Sequence, residues 1–313
     1  MSYQLNGFPD DLIREMLTGI IETEVAFADT ACGQQFRKQT SLTGSVPIKS
    51  SGATLGTIEG YAGLAPGEVA PGEEYTVTSV AYTAKARVGK GILTDEERND
   101  YDAMFNEDAV NAQLTTARQN ANTRLDKYLE TILSSTSLNT EAAAGSGYGP
   151  GWGSASSTMA ADIRKVRETV APGADTIIIG RALKNVMLDN DALLATPIAG
   201  NNYGGGTGAE SILVAWLKQY TDFTNVLFFD KKYDSSGGRG AAAAVSYLFD
   251  SLAWVGYSDD LVLVHPTGPI NDLVDIERKS EVRSHVIQYS RYDDILRPTL
   301  LKGAVMTGFT AAS

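Results

Sequence analysis

The sequence is short of nearly everything that reactive chemistry requires. Its 313 residues include one cysteine, Cys32, and two histidines, His265 and His285. A lone cysteine rules out an internal disulfide and every paired-cysteine zinc pattern, and it suits folding in a reducing compartment. Two histidines leave little material for a Ser-His-Asp or Cys-His apparatus. His265 stands before Pro266 at a strand end and His285 lies in a charged strand, so both read as structural. There is no apolar run of about eighteen residues and no charged–apolar–small leader pattern at the start, so neither a membrane span nor export by a signal peptide is expected. Basic residues are also outnumbered, and the formal net charge of −12 argues against a chain built to grip nucleic acid. It does not argue against a wall around nucleic acid, which should repel that polymer weakly over most of its area.

Glycine is plentiful, at 31 residues, and it clusters at 145–153, 200–208 and 235–240. Such clustering predicts long surface loops on a compact body. Residues 1–45 read as an N-terminal arm with a short amphipathic stretch through Leu12, Ile13, Met16, Leu17 and Ile20, and with no core of its own. Residues 46–93 read as a long two-stranded excursion. Its apex carries the pairs Pro66-Gly67 and Pro71-Gly72, a strong turn signal, with Glu68 and Glu73 beside them. In the return strand Tyr75 and Val77 share one phase, while Val80, Tyr82, Ala84, Ala86 and Val88 share the other. A slip of that kind marks a bulge or a change of buried face. An isolated ribbon of this length is marginal in water, so it should need a partner surface.

Thr94 and Glu97 form a capping box. The strongest helix follows, about 108–134, with Val110, Leu114, Ala117, Ala121, Leu125, Tyr128 and Ile132 drawing a narrow apolar stripe. At 1.5 Å per residue it should be a spine of roughly 40 Å. Further helices are expected at 157–170, 181–194 and 209–220, and strands at 175–180, 225–230, 244–249 and 252–257. From Leu261 onward the chain has strand character. Residues 274–292 carry Asp275, Glu277, Arg278, Lys279, Glu281, Arg283 and Arg291. This segment is expected to be a sheet edge that meets charged neighbours.

The order of these elements resembles the tailed-bacteriophage major capsid proteins with the Hong Kong 97-type coat fold. The most telling text runs from Ala174 to Leu194, a buried strand followed by a helix with an Asn/Asp-rich end. The tail from Tyr289 through Phe309 is similar to the closing strands of that family. The resemblance implies an α+β chain made of an N-terminal arm (1–45), an extended β-loop (46–93), a peripheral domain with the spine helix (94–171), an axial α/β domain (172–264) and return strands (265–313). It implies a structural protein and not an enzyme, assembling as pentamers and hexamers of an icosahedral shell around double-stranded DNA, without cofactor or metal. A separate scaffolding protein, a portal and a possible decoration protein are the implied partners. The length leaves no room for the scaffolding segment of about a hundred residues that some relatives carry ahead of the arm. Lys49, Lys85 and Lys90 lie where some relatives carry a cross-linking lysine, but no partner asparagine or assisting acid is identifiable, so that chemistry is not carried over. The expected subunit-interface residues are Pro66, Glu68, Pro71 and Glu73 at the ribbon apex, Tyr82 and Lys85 on the return strand, and Arg278, Arg283 and Arg291 on the charged strand.

Rival readings rest on thinner signals. Gly204 to Ala209 fits a dinucleotide-type loop entering a helix, but loop rather than strand precedes it, so the βαβ context is missing. The pairs Asp10-Asp11, Asp259-Asp260 and Asp293-Asp294 could hold a hard cation, yet adjacent strand carboxylates point to opposite faces. Arg118, Arg124, Lys127, Lys165 and Arg167 read as helix surface before they read as a DNA-facing patch. Trp152, Trp216 and Trp254 read as packing anchors, with Trp152 a candidate for exposure at a subunit contact. An encapsulin-like compartment, an α/β enzyme using the Gly204 loop and a tail or decoration protein are the alternatives to a phage coat.

Overall fold

The computed structural model describes residues 37–48, 79–99, 109–153, 158–170, 173–190, 193, 208–235, 244–266, 273–279, 283–297 and 302–310. The expected arm helix, the Pro-Gly apex with Pro66, Glu68, Pro71 and Glu73, and the Gly204 loop lie outside these residues. The chain divides into two compact units. One holds residues 1–44, 83–129 and 262–296, and the other 45–82, 130–261 and 297–313.

The first unit is organised on one long strand, β13 (Ser284–Leu296). It pairs antiparallel with β4 (Lys85–Thr94) over ten positions, from Ser284↔Thr94 to Asp293↔Lys85. It also pairs with β12 (Leu273–Lys279) and, at its far end, with β11 (Val262–Val264). β1 (Arg37–Gln39) then runs parallel to β11. Helix α1 (Ala109–Ser134) starts in this unit, and Val110, Leu114, Ala117 and Ala121 of the expected stripe pack with Leu93, Ile287 and Tyr289. A close approach makes this packing possible. A Cβ on Gly89 would lie 2.0 Å from the carbonyl oxygen of Ala117, so only glycine lets β4 and α1 meet there.

Two expectations are corrected here. The return strand does not stay with the ribbon to Val88, because residues 85–94 are a full strand of the body sheet. β3 (Ser79–Thr83) and β4 are separate strands broken at Ala84, where the ladder changes partner. The buried phase runs through Tyr82 and Ala84, then shifts to Gly89 and Leu93. A change of buried face therefore falls between Ala84 and Gly89, while the expected slip after Val77 lies outside the described residues. The charged segment is also two strands rather than one edge. β12 is the exposed edge, whereas β13 is central and mostly buried, since most of its charges pair within the unit.

The second unit holds a mixed sheet in the order β5 (Asn139–Ala143), β14 (Gly303–Thr307), β10 (Ala253–Gly256), β6 (Thr176–Gly180), β7 (Asn225–Phe229). β6 is buried along its whole length, as its run of three isoleucines predicts. Helices α2 (Met159–Thr169), α3 (Arg181–Leu188) and α4 (Ala209–Thr221) cover one face, sharing a core of Ile163, Val166, Ile177, Leu183, Leu213 and Trp216. α3 stops at Leu188, six residues short of expectation, where the Asp/Asn-rich text begins. Its N-terminus is capped from a distance, as Asp250 accepts from the Ala182 N–H through both its carbonyl (2.9 Å) and Oδ1 (3.1 Å). The glycine loop 145–153 is anchored by buried Asp162, which accepts from Gly149 N (2.8 Å), Trp152 Nε1 (3.2 Å) and Thr158 Oγ1 (2.9 Å). Trp152 is 1% exposed and lies 4.6 Å from the Phe309 ring, so it is a packing anchor.

Asn139 holds the start of this sheet to the end of α1. Its Nδ2 lies within donating distance of the carbonyls of Ile132 (3.1 Å), Leu133 (2.9 Å) and Ser135 (2.9 Å) at and just past the helix end. Its Oδ1 accepts from Trp254 Nε1 (2.9 Å) and Arg297 Nη1 (2.7 Å). Replacing Asn139 by alanine strips these buried groups together and should cost about 3 kcal/mol. Thermal unfolding of N139A should fall by roughly 6–12 °C, and an unchanged midpoint would contradict this reading.

Candidate subunit interface

The five expected interface residues among the described ones fall into three groups by burial. Tyr82, on β3, is 6% exposed and belongs to the chain's own interior. β3 pairs with β2 (Thr43–Pro47) as a two-stranded ribbon base in which only Val46 and Tyr82 are buried. Val80 is 37% exposed and the preceding Leu42 36%. Two strands with one buried side chain each cannot hold themselves in water. The ribbon base thus presents backbone and apolar surface without a core of its own.

Arg291 is the second case. It is 4% exposed, and its Nη1 donates to Asn122 Oδ1 at 3.1 Å while its Nε lies 3.2 Å from Asp293 Oδ2. Its Nη2 lies 3.1 Å from His265 Nδ1. A guanidinium only donates, so that imidazole nitrogen is the acceptor. Arg87 holds the other oxygen of Asp293 through Nε. The Arg87 guanidinium also sits 5.2 Å from the Tyr128 ring centre. One carboxylate thereby joins β4 to the turn of β13 that faces it, between two cations and away from water.

The remaining three residues are outside. Lys85 keeps 64% of its side chain exposed while reaching Asp294 at 3.6 Å and the Tyr128 ring at 5.4 Å. Arg278, on the β12 edge, reaches Asp95 Oδ2 at 3.3 Å with 38% of its side chain exposed. Arg283 opens β13 in the left-handed region, with φ 43°, a conformation that costs a non-glycine residue about 1 kcal/mol or more. The face of the sheet opposite Lys85 and Arg278 carries Leu273 at 46% and Ile92 at 47% exposure, paired with Ser290 and Val286 of β13. These exposed charges and exposed apolar side chains thus lie on different faces of this sheet.

Some organising residues give no signal in sequence. Lys184 is 5% exposed between α3, α4 and β7. It donates to Glu210 Oε1 at 2.6 Å and Asp230 Oδ2 at 3.0 Å. Burial pulls its pKa down, but the two carboxylates outweigh burial and the net direction is upward, so the ammonium stays charged. Arg181 stacks 4.0 Å from Tyr247 on the hairpin of β8 (Lys232–Asp234) and β9 (Val245–Tyr247), where Val245 is 64% exposed. Of the expected capping box, both bonds are made, Glu97 N to Thr94 Oγ1 and Thr94 N to Glu97 Oε2, each 3.1 Å. Among the described residues no cluster of three or more metal-ligating side chains occurs, and no helix is long and apolar enough to cross a membrane.

Comparison with known proteins separates fold from sequence. No protein-family model matches the chain, and no curated protein matches it in sequence. Solved structures do match along nearly its whole length. A phage-related protein from Bordetella bronchiseptica is 13% identical, with 96% of this chain and 98% of that one covered at a TM-score of 0.61. The capsid of Myoviridae phage XM1 is 12% identical, covering 91% and 93% at 0.52. A virus-like particle from Pyrococcus furiosus is 10% identical, covering 95% and 98% at 0.52. The chain has the Hong Kong 97-type capsid fold, α+β, as the order of its elements implied.

The Arg87–Asp293–Arg291 cluster and the Arg278–Asp95 pair should respond differently to truncation. Asp293→Ala strands two cations in the interior and should destabilise the chain by about 3–5 kcal/mol. Arg278→Ala removes a half-exposed pair and should cost less than about 1 kcal/mol. Denaturant titration of both variants checks the ordering, and equal effects would refute it.

Proposed function

We propose that the chain is the major coat subunit of a tailed phage, assembling as pentamers and hexamers of a closed icosahedral shell around double-stranded DNA. The observation that carries this reading is the ribbon base. β2 and β3 bury one side chain each and lead into residues 49–78, so their exposed surface is satisfied by copies of the same chain. The fold supports it, because the same architecture builds the capsid of phage XM1. The acidic balance supports it too, since a wall that gripped the genome would hinder its packing and release.

In this reading residues 1–45 are the arm and 46–93 the extended loop, with the free ribbon ending near Ala84. Residues 94–171 and 265–313 form the peripheral domain, and 172–264 the axial domain. Pro66, Glu68, Pro71 and Glu73 at the apex, with Lys85, Arg278 and Arg283 on the body, meet neighbouring subunits. Tyr82 and Arg291 hold those surfaces in place from within. The protein acts in the virion and is assembled in the host cytoplasm, with a separate scaffolding protein, a portal and, in some particles, a decoration protein. A second reading keeps the shell and changes the contents to a protein cargo, and the likeness to the Pyrococcus furiosus virus-like particle favours it.

Expression of the chain alone and together with the products of adjacent genes, followed by cryo-electron microscopy, tests both. Closed shells are expected, with layered nucleic-acid density in the mature particle. Ordered protein density inside would select the second reading, and a monomer under every condition would overturn both.

A further inference from the structure

Arg283 occupies a backbone position that suits another residue. Its φ of 43° lies in the left-handed region, which glycine enters freely and asparagine or aspartate at small cost, while a long side chain enters it at a penalty. The neighbouring chain holds it there. Its carbonyl accepts from Asp95 N at 2.9 Å, and the next residue, Ser284, is fixed in the ladder between Lys279 of β12 and Thr94 of β4. Glycine would meet the same backbone demand without strain. The arginine side chain is exposed, and among the described residues it has no hydrogen bond or ion pair. Arg278 on the same hairpin is answered by Asp95, and Arg87 and Arg291 by Asp293. Strain of the Arg283 kind persists where the surroundings over-determine it, at surfaces that bind or switch.

We propose that Arg283 is a docking residue, whose guanidinium receives a carboxylate from a second copy of this chain. The contact is one detail of the shell reading and depends on it. The chain carries 38 acidic residues against 26 basic ones, so every neighbouring copy brings carboxylates in excess. Carboxylate and guanidinium fit together through two parallel hydrogen bonds, and an interface that excludes water strengthens them. Nucleic-acid phosphate is the other anion that a guanidinium takes, and the hairpin end is poorly suited to it. Asp95, Glu96, Glu97 and Glu277 stand at that end of the sheet and offset the other cations there. DNA carries a charge about every 1.7 Å of its axis and would meet those acids together, whereas one side-chain carboxylate reaches Arg283 alone.

Assembly from purified subunits free of nucleic acid, with the scaffolding protein added where the natural chain needs it, reads the contact as the concentration at which particles form. Arg283→Gly should leave the thermal midpoint of the dissociated subunit unchanged or higher, because it relieves the left-handed backbone. The same variant should raise the assembly threshold about tenfold, as the loss of one charge-assisted contact does. Across variants the threshold should rise in the order natural chain, Arg283→Lys, Arg283→Gly, Arg283→Glu, following the charge. A role of the backbone alone would put R283G level with the natural chain or below it, and that result overturns the proposal. Should R283G lower the subunit midpoint, the comparison of R283K with R283E decides, since both keep a side chain on the same strained backbone. Equal thresholds for that pair overturn the contact. An ordering that emerges only when DNA is added assigns the anion to phosphate and overturns it too. Equal thresholds in all four chains remove Arg283 and leave the shell reading standing, whereas no particles from the natural chain under any condition would overturn both.

Discussion

The first unit depends on burying β13 without leaving its charges unpaired. Moving an ion out of water costs several kcal/mol, and that cost is offset only when the partner charge and the remaining hydrogen bonds are in place. Asp293 has its charge answered between Arg87 and Arg291, and Arg291 also donates to Asn122 and lies 3.1 Å from His265 Nδ1. With those charges neutralised, a strand of charged and apolar residues can lie in the middle of a sheet. Apolar residues then do the rest, because Ile287 and Tyr289 pack on α1. The register of ten pairs with β4 follows, since a slip by one residue would turn Asp293 away from Arg87.

The second unit relies on a different device. Its sheet begins with a strand of almost no apolar character and is closed by the C-terminal strand running parallel beside it. What fixes that strand is Asn139, which donates to the last carbonyls of α1 and accepts from Trp254 two strands away in the same sheet. A buried amide of this kind specifies position more than it adds stability, because all of its capacity must be met in one geometry. Asp162 plays the same part for the glycine loop that ends at Trp152.

Local periodicity was readable where a single signal dominates. Three isoleucines gave β6, the three-and-four spacing gave the start of α1, and Thr94 with Glu97 marked the turn before it. The reading failed where partners distant in sequence decide the outcome. Counting the charges of 274–292 as one set hid the fact that Arg291 is answered by Asn122 and Asp293 in the interior while Arg278 stays at the edge. The text of β5 shows no alternation at all, and only its pairing with β14 makes it a strand. Residues 85–93 read as part of the ribbon because Ala86 and Val88 continue the phase of its return strand, and nothing local reveals that β13 lies opposite. Burial of Arg291 is equally invisible, because an arginine looks like a surface residue by type.

The two kinds of strand divide the labour. Those of the body sheets are mostly buried within the chain, and those of the ribbon base and the β12 edge are mostly exposed. Comparison of hydrogen exchange in dissociated subunits and in assembled particles tests this division most directly. Peptides covering 43–47, 79–83 and 273–279 should gain strong protection on assembly, while those of 284–296 should change little. Equal protection of the ribbon base in both states would mean that it is satisfied by its own subunit, and would contradict the account.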